Sequence, residues 1–186
     1  IEAGHLVSGK TPVDIIVTPI VSIAAGAVVA YVVGPYIAIF TEWLGNLINI
    51  NVDKHPFIGG IVISVSMGMF LTLPISSAAI GIMLGLSGLA SGAATIGCCC
   101  QMVGFAVMSF KENKVGGLIS QGIGTSMLQM PNIIRHPQIW IPPILSGAIL
   151  APVSTMVFKM VSNPVGSGMG TSGLVGQFSA YAVMVG

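Results

Sequence analysis

The chain alternates long apolar runs with brief polar interruptions. Residues 13–37, "VDIIVTPIVSIAAGAVVAYVVGPYI", form the clearest run. A helix that crosses a bilayer needs about 20 apolar residues, so this run predicts a span. Pro19 lies inside it as a candidate kink, which a membrane helix tolerates when neighbouring helices satisfy the freed backbone groups. Residues 40–55, "FTEWLGNLININVDKH", set Phe40, Trp43, Leu44, Leu47 and Ile48 at helical spacing. Trp43 suits a headgroup boundary. The pattern predicts a short interfacial helix followed by a loop. Residues 57–73 predict a second span that stops at Pro74.

From Ile75 to Phe110 the chain is too long for one crossing and has no charged turn. Ser77, Gly81 and Gly85 recur at intervals of four, as do Gly88 and Gly92, and small residues at that spacing let helix backbones approach closely. A short or re-entrant helix is expected over 76–90 and a span over 93–110. "KENK", residues 111–114, reads as a solvated turn on the cytoplasmic side by the positive-inside tendency. Residues 116–130, "GGLISQGIGTSMLQM", are short and polar for a span. "PNIIRHPQIWIPP" reads as an interfacial connector, and residues 143–161 as another span. "SNPVGSGMGTSG" is loop-like, and a last helix is expected to start near Leu174.

Composition fixes the solvent. Of 186 residues, 54% are hydrophobic and 6% charged, with mean hydropathy +0.97. A typical soluble domain carries about 25% charge, and a soluble fold of this size must cover a large surface with polar groups. The charges fall at the ends of long uncharged stretches: 27 residues between Asp14 and Glu42, 56 between Lys54 and Lys111, 23 between Arg135 and Lys159. The fold class is therefore an all-α integral membrane protein, a multi-span helical bundle with short re-entrant or broken helices, and its first partner is the lipid bilayer. A net charge of +1 with no basic stripe argues against a nucleic-acid partner.

Candidate chemistry is sparse. Cys98, Cys99 and Cys100 are consecutive, so on a helix they point about 100° apart. They match neither a disulfide framework nor C-x-x-C metal spacing. They read as small packing residues, with a redox or acylation role as the alternative. No Ser-His-Asp order, H-E-x-x-H or Walker loop occurs. No catalytic residue, metal site or cofactor is identified. Asp14, Glu42, His55 and His136 are the ionisable candidates, and each also reads as a residue of a helix end or membrane boundary.

"GMGTSG", residues 168–173, spells G-x-G-x-x-G, but a dinucleotide fingerprint needs a preceding strand and an acidic residue about 20 positions on. Both are missing. The pattern G-x-G-T-S-x-L occurs at Gly122–Leu128 and again at Gly168–Leu174. Glycine admits unusual torsions, and broken helices in transporters expose backbone near the midplane. The two copies therefore read either as a solute lining, with a hint of internal symmetry, or as tight helix packing. Thr72, Ser76, Ser77, Gln101, Gln121, Thr125, Ser126, Gln129, Gly170, Thr171 and Ser172 are the candidate substrate-binding residues. Their amides and hydroxyls avoid lipid, serving as interhelical glue or gripping a hydroxylated ligand.

"GKTPVDIIVTPIVSIAAG", "MFLTLPISSAAIGIMLGLSGLASGAATIGCCCQMVGFAVMSF", "GTSMLQMPNIIRHPQIWIPP" and "NPVGSGMGTSGLVGQ" together resemble bacterial phosphotransferase-system (PTS) EIIC-like integral membrane permeases, in the single-domain EIIC branch. The resemblance covers nearly the whole chain. It implies an all-helical, multi-pass permease of the bacterial inner membrane, with re-entrant hairpins, often a homodimer. It also implies a small polar solute, a sugar above all, and phosphate delivered by a separate EIIB supplied through EIIA. Any enzymatic role is at most that of the membrane permease component. Family members are usually longer at the N-terminus, so residues 1–186 are expected to be a single membrane domain, the C-terminal part of a longer permease. A non-transporting sensor or scaffold on a permease fold, or a channel or exporter for another solute, are the alternative functions.

Overall fold

The computed structural model describes residues 14–186. Among the described residues no strand forms. One isolated antiparallel bridge joins Gly88 to Ser162, and helices carry the rest of the regular structure. The chain divides into two units, residues 1–41 and 42–186.

Helix α1, Asp14–Lys54, is unbroken and contains Pro19 and Pro35. The expected break into a span, an interfacial helix and a loop does not occur. The polar positions that suggested it are accommodated within the helix: Thr41 Oγ1 donates to Ile37 O at 2.9 Å, and Asn51 Nδ2 to Leu47 O at 2.7 Å. Such back-bonding satisfies a polar side chain without a turn. Val13, where the first expected span opens, lies outside the described residues.

In the second unit, α2 runs Pro56–Thr72 and α3 only Ser77–Met83. Helix α4, Gly88–Met108, starts five residues before the span expected at 93. The re-entrant helix expected over 76–90 is thus cut in two. The cut is made by Gly85 and Gly88, both at φ +55°, a torsion cheap only for glycine. Asn49 holds this turn: its Nδ2 donates to Gly85 O at 3.0 Å and its Oδ1 accepts from Ser87 N at 3.3 Å.

"KENK" is not a simple turn. It lies in α5, Phe110–Ile119, which breaks its helical torsions at Lys114. A wide helical turn over Ser120–Gly124 and a tight one over Ser126–Gln129 follow, separated by extended Thr125. Helix α6, Met130–Arg135, and a tight turn, Pro137–Trp140, replace the expected connector and lead into α7, Ile141–Pro152. A wide turn over Val153–Val157 continues α7, and α8, Pro164–Ser167, is a single turn. Helix α9, Val175–Val185, starts where the sequence indicated. Among the described residues two stretches, Gly88–Met108 and Pro137–Val157, are long and apolar enough to cross a membrane.

Helices α2, α4 and α7 pack into the centre of this unit. Their contact surfaces are made of glycine and hydroxyl groups. A Cβ on Gly97 would overlap the Ser64 carbonyl, and one on Gly68 would meet Gly97 O at 2.7 Å. Ser64 Oγ donates to Gly147 O at 3.0 Å, and Thr155 Oγ1 to Pro56 O at 3.0 Å. Hydrophobic burial gives no net drive between helices surrounded by lipid, so close backbone approach and such hydrogen bonds hold them together. An apolar cluster of Val52, Ile63, Met67, Leu86, Ala90, Ala94 and Cys98 fills the space beside them.

Candidate functional site

The candidate polar residues sort into three groups. The first lies where α2 ends. Thr72, Gln101 and Ser126 are buried and bonded: Thr72 Oγ1 lies 3.1 Å from Ser126 Oγ and 3.4 Å from Gln101 Oε1. Trp140 Nε1 donates to the same Gln101 oxygen at 3.2 Å. One proton assignment satisfies the set: Ser126 donates to Thr72, and Thr72 donates to Gln101. Four elements meet here because four polar groups in an apolar interior are stable only when paired.

The second group is a directed chain of amides. Asn132 Nδ2 donates to Gln129 Oε1, Gln129 Nε2 to Gln121 Oε1, and Gln121 Nε2 to Ser109 Oγ, each at 2.9 Å. Ser109 Oγ ends the chain on Ala106 O at 3.3 Å. Extended Thr125 turns the backbone so that Gln121 and Gln129 face each other across the wide and tight turns. Two clefts adjoin the chain. One, of 360 Å³, is lined by Ser109, Glu112, Gln129 and Asn132 among others, and the other, of 420 Å³, by Ser120, Gln121, Gln129 and Asn132. A larger groove of 520 Å³ between α4 and α7 is lined mainly by Ile96, Val103, Val107, Pro142 and Leu150 and offers little to a polar solute.

The third group serves packing. Ser76 Oγ accepts from Ala79 N at 3.3 Å, capping α3. Ser77 Oγ donates to Gly168 O at 2.6 Å, against a backbone so close that a Cβ on Gly168 would overlap the Ser77 carbonyl. Gly170, at φ +52°, has its Cβ position 2.7 Å from the Cys98 carbonyl carbon. Cys98 is buried between Met67 O and Ser167 O, each 3.4 Å from its Sγ, which is the packing role read from the sequence.

The two G-x-G-T-S-x-L copies do not share a conformation. Thr125 is extended and its Oγ1 accepts from Met127 N at 3.2 Å. Thr171 has φ −85° and ψ 2°, and Gly170, Gly173 and Leu174 around it are left-handed. Different neighbours impose different torsions on the same letters. The copies do touch: Ser172 Oγ donates to Gly124 O at 2.9 Å. Among the described residues Thr171 Oγ1 is buried without a partner. An unsatisfied buried hydroxyl costs about 1–3 kcal/mol. Thr171→Val is therefore expected to leave the thermal unfolding midpoint of the purified protein unchanged or raise it. A clear drop would show that the hydroxyl has a partner in the working protein.

Ser109, Asn132 and Trp140 were missed in the sequence. The available signal was spacing: Asn132 stands three residues after Gln129, one turn on. Glu42, His55 and His136 are exposed, and none lines either amide cleft.

A family described as Phosphotransferase system, EIIC matches residues 1–185. The chain belongs to the EIIC family. Comparison with curated proteins and with solved structures found no match. As an EIIC chain, the protein is a membrane-embedded permease component of a phosphotransferase system and works with EIIA and EIIB components. The apolar helices and the 6% charge fit that setting.

Proposed function

We propose that this EIIC chain carries a small, neutral, polyhydroxylated solute, a sugar, past the amide chain Asn132–Gln129–Gln121–Ser109. That chain beside two clefts, in a protein with so few charges, is the observation that carries the reading. Amides offer both donors and acceptors, as sugar hydroxyls do, and demand no charge on the ligand. Each cleft falls within the roughly 300–1,000 Å³ of small-molecule sites. Gln121 and Gln129 would contact the solute, with Thr72, Gln101 and Ser126 supporting them. Thr125, Gly170, Thr171 and Ser172 would shape the neighbouring backbone, and Ser76 and Ser77 would hold α3 in place. The bundle would move by alternating access, one part against another, and EIIB would deliver phosphate to the released sugar. Residues 1–186 would form one membrane domain of a longer multi-pass permease of the bacterial inner membrane, working as a homodimer.

The test is thermal unfolding of the purified full chain in detergent with a panel of hexoses, pentoses, disaccharides and hexitols. A ligand at 100 times its Kd adds about 2.7 kcal/mol of stability, so one sugar class is expected to raise the midpoint by several degrees. A flat response across the panel, with no uptake of any member by proteoliposomes, would refute the sugar reading.

A further inference from the structure

The two clefts share a wall. Asn113, Gln129 and Asn132 line both of them, so these three amides stand between the two spaces. Gln129 and Asn132 are tied into the amide chain. Asn113 is not: it is exposed, and among the described residues its side chain has no hydrogen-bond partner. It is the one loose member of an otherwise bonded wall.

Its backbone is also special. Lys114, the next residue, has φ 50° and ψ −147° inside helix α5. A non-glycine residue held there is strained, and the conformation persists only where surrounding contacts impose it. The kink folds Asn113 back onto Gly117, where an added Cβ would overlap Asn113 Cβ. Helical torsions at Lys114 would swing Asn113 away from Gly117 and from the wall. Lys111, Glu112 and Lys114 itself are exposed and charged, which puts the kink at the aqueous edge of the protein.

We propose that Asn113 is a gate between the two clefts and Lys114 its hinge. With Lys114 kinked, Asn113 closes the amide wall. With Lys114 helical, the wall opens and the clefts join into one chamber. The gating role rests on the solute path proposed above, but the hinge motion does not depend on it.

The experiment pairs Asn113→Cys with Asn132→Cys in the full chain in membranes, with single-cysteine controls to account for Cys98, Cys99 and Cys100. Oxidative cross-linking is timed in three backgrounds: native Lys114, Lys114→Gly and Lys114→Ile. Glycine accepts the kinked torsions without strain, whereas a β-branched residue resists them. The cross-linking rate is expected to fall in the order Gly, Lys, Ile, by about tenfold from first to last, as about 1.4 kcal/mol of torsional bias predicts. Equal rates, or no cross-link in any background, would overturn the hinge. Uptake into proteoliposomes of a sugar that the parent transports, measured with Asn113 and Asn132 native, is then expected to be slower in Lys114→Gly than in Lys114→Ile. Equal uptake by Lys114→Gly and Lys114→Ile at equal folded protein would overturn the gate. A parent that moves no sugar refutes the proposed solute, and the cross-linking series still decides the hinge.

Discussion

Gly97→Val is expected to abolish the folded protein. Gly97 sits mid-way along α4, and its missing side chain is what lets α2 approach: an added Cβ would overlap the Ser64 carbonyl. A flexible side chain could rotate away, but a backbone carbonyl in a helix cannot. The two helices would have to separate, and Gly68 opposite allows no compensation, since its own Cβ position lies 2.7 Å from Gly97 O. Separation would also pull Thr72 Oγ1 on α2 from Gln101 Oε1 on α4, leaving buried polar groups unpaired. Overpacking alone costs roughly 1–3 kcal/mol, and each orphaned group adds to it. Since domains have only about 5–15 kcal/mol of stability, fluorescence-detected size exclusion should show aggregate in place of a monodisperse peak. Gly34→Ala is the control. Among the described residues nothing lies within 4 Å of the Gly34 Cβ position, so alanine there is expected to be neutral or to stabilise α1 by up to about 1 kcal/mol. A Gly97→Val protein that elutes and melts like the parent would disprove this account of the packing.

This packing explains what could be read from the sequence and what could not. Long uncharged runs and the four-residue spacing of small residues announced helices in lipid, and α2, α4, α7 and α9 lie close to where those runs fall. Helix boundaries were harder. Alpha-helical torsions continue from Thr41 through Lys54 because polar side chains there bond back to their own helix, which leaves no trace in a hydropathy pattern. The break at Gly85–Gly88 depends on Asn49, 36 residues from Gly85 in the chain. Candidate site residues were legible as types but not as groupings. Thr72 and Ser77 stand five residues apart, yet one joins the Gln101 cluster and the other binds the Gly168 carbonyl. The repeated G-x-G-T-S-x-L letters suggested symmetry, but torsions are set by tertiary neighbours, and the two copies fold differently.

The same distinction shows which hydroxyls and amides are free to work. Ser64, Ser77, Ser91 and Thr155 each donate to a main-chain carbonyl of a distant element, at 2.6–3.0 Å. They are committed to holding helices together. Amides differ because each has donors and an acceptor to spare after one bond is made. Gln121, Gln129 and Asn132 therefore combine fixed orientation with residual capacity, which a cleft-lining group needs in order to recognise a solute.

Gln129→Leu is accordingly expected to cost uptake far more than folding. Gln129 stands at the centre of the amide chain: its Oε1 accepts from Asn132 and its Nε2 donates to Gln121. It also lines both clefts. Leucine keeps much of the volume and removes both bonds. Asn132 is exposed and can turn to water, whereas buried Gln121 loses its donor, so the loss of stability should be about 1–3 kcal/mol. Transport loses more, because the solute meets an apolar group where it needs a donor and an acceptor, and a site built to hydrogen-bond a hydroxyl discriminates steeply. Uptake of a transported sugar should fall about 10- to 100-fold, with KM rising if Gln129 touches the solute in the ground state. Gln129→Asn, which keeps the amide but shortens its reach, should fall between parent and leucine. The decisive comparison is with Ser77→Ala, which removes a packing bond outside the amide chain and both clefts: it should lower the melting temperature while leaving KM unchanged. If Gln129→Leu transports with the parent's KM and rate at equal folded protein, the amide chain is scaffolding, and the solute path lies elsewhere in the bundle.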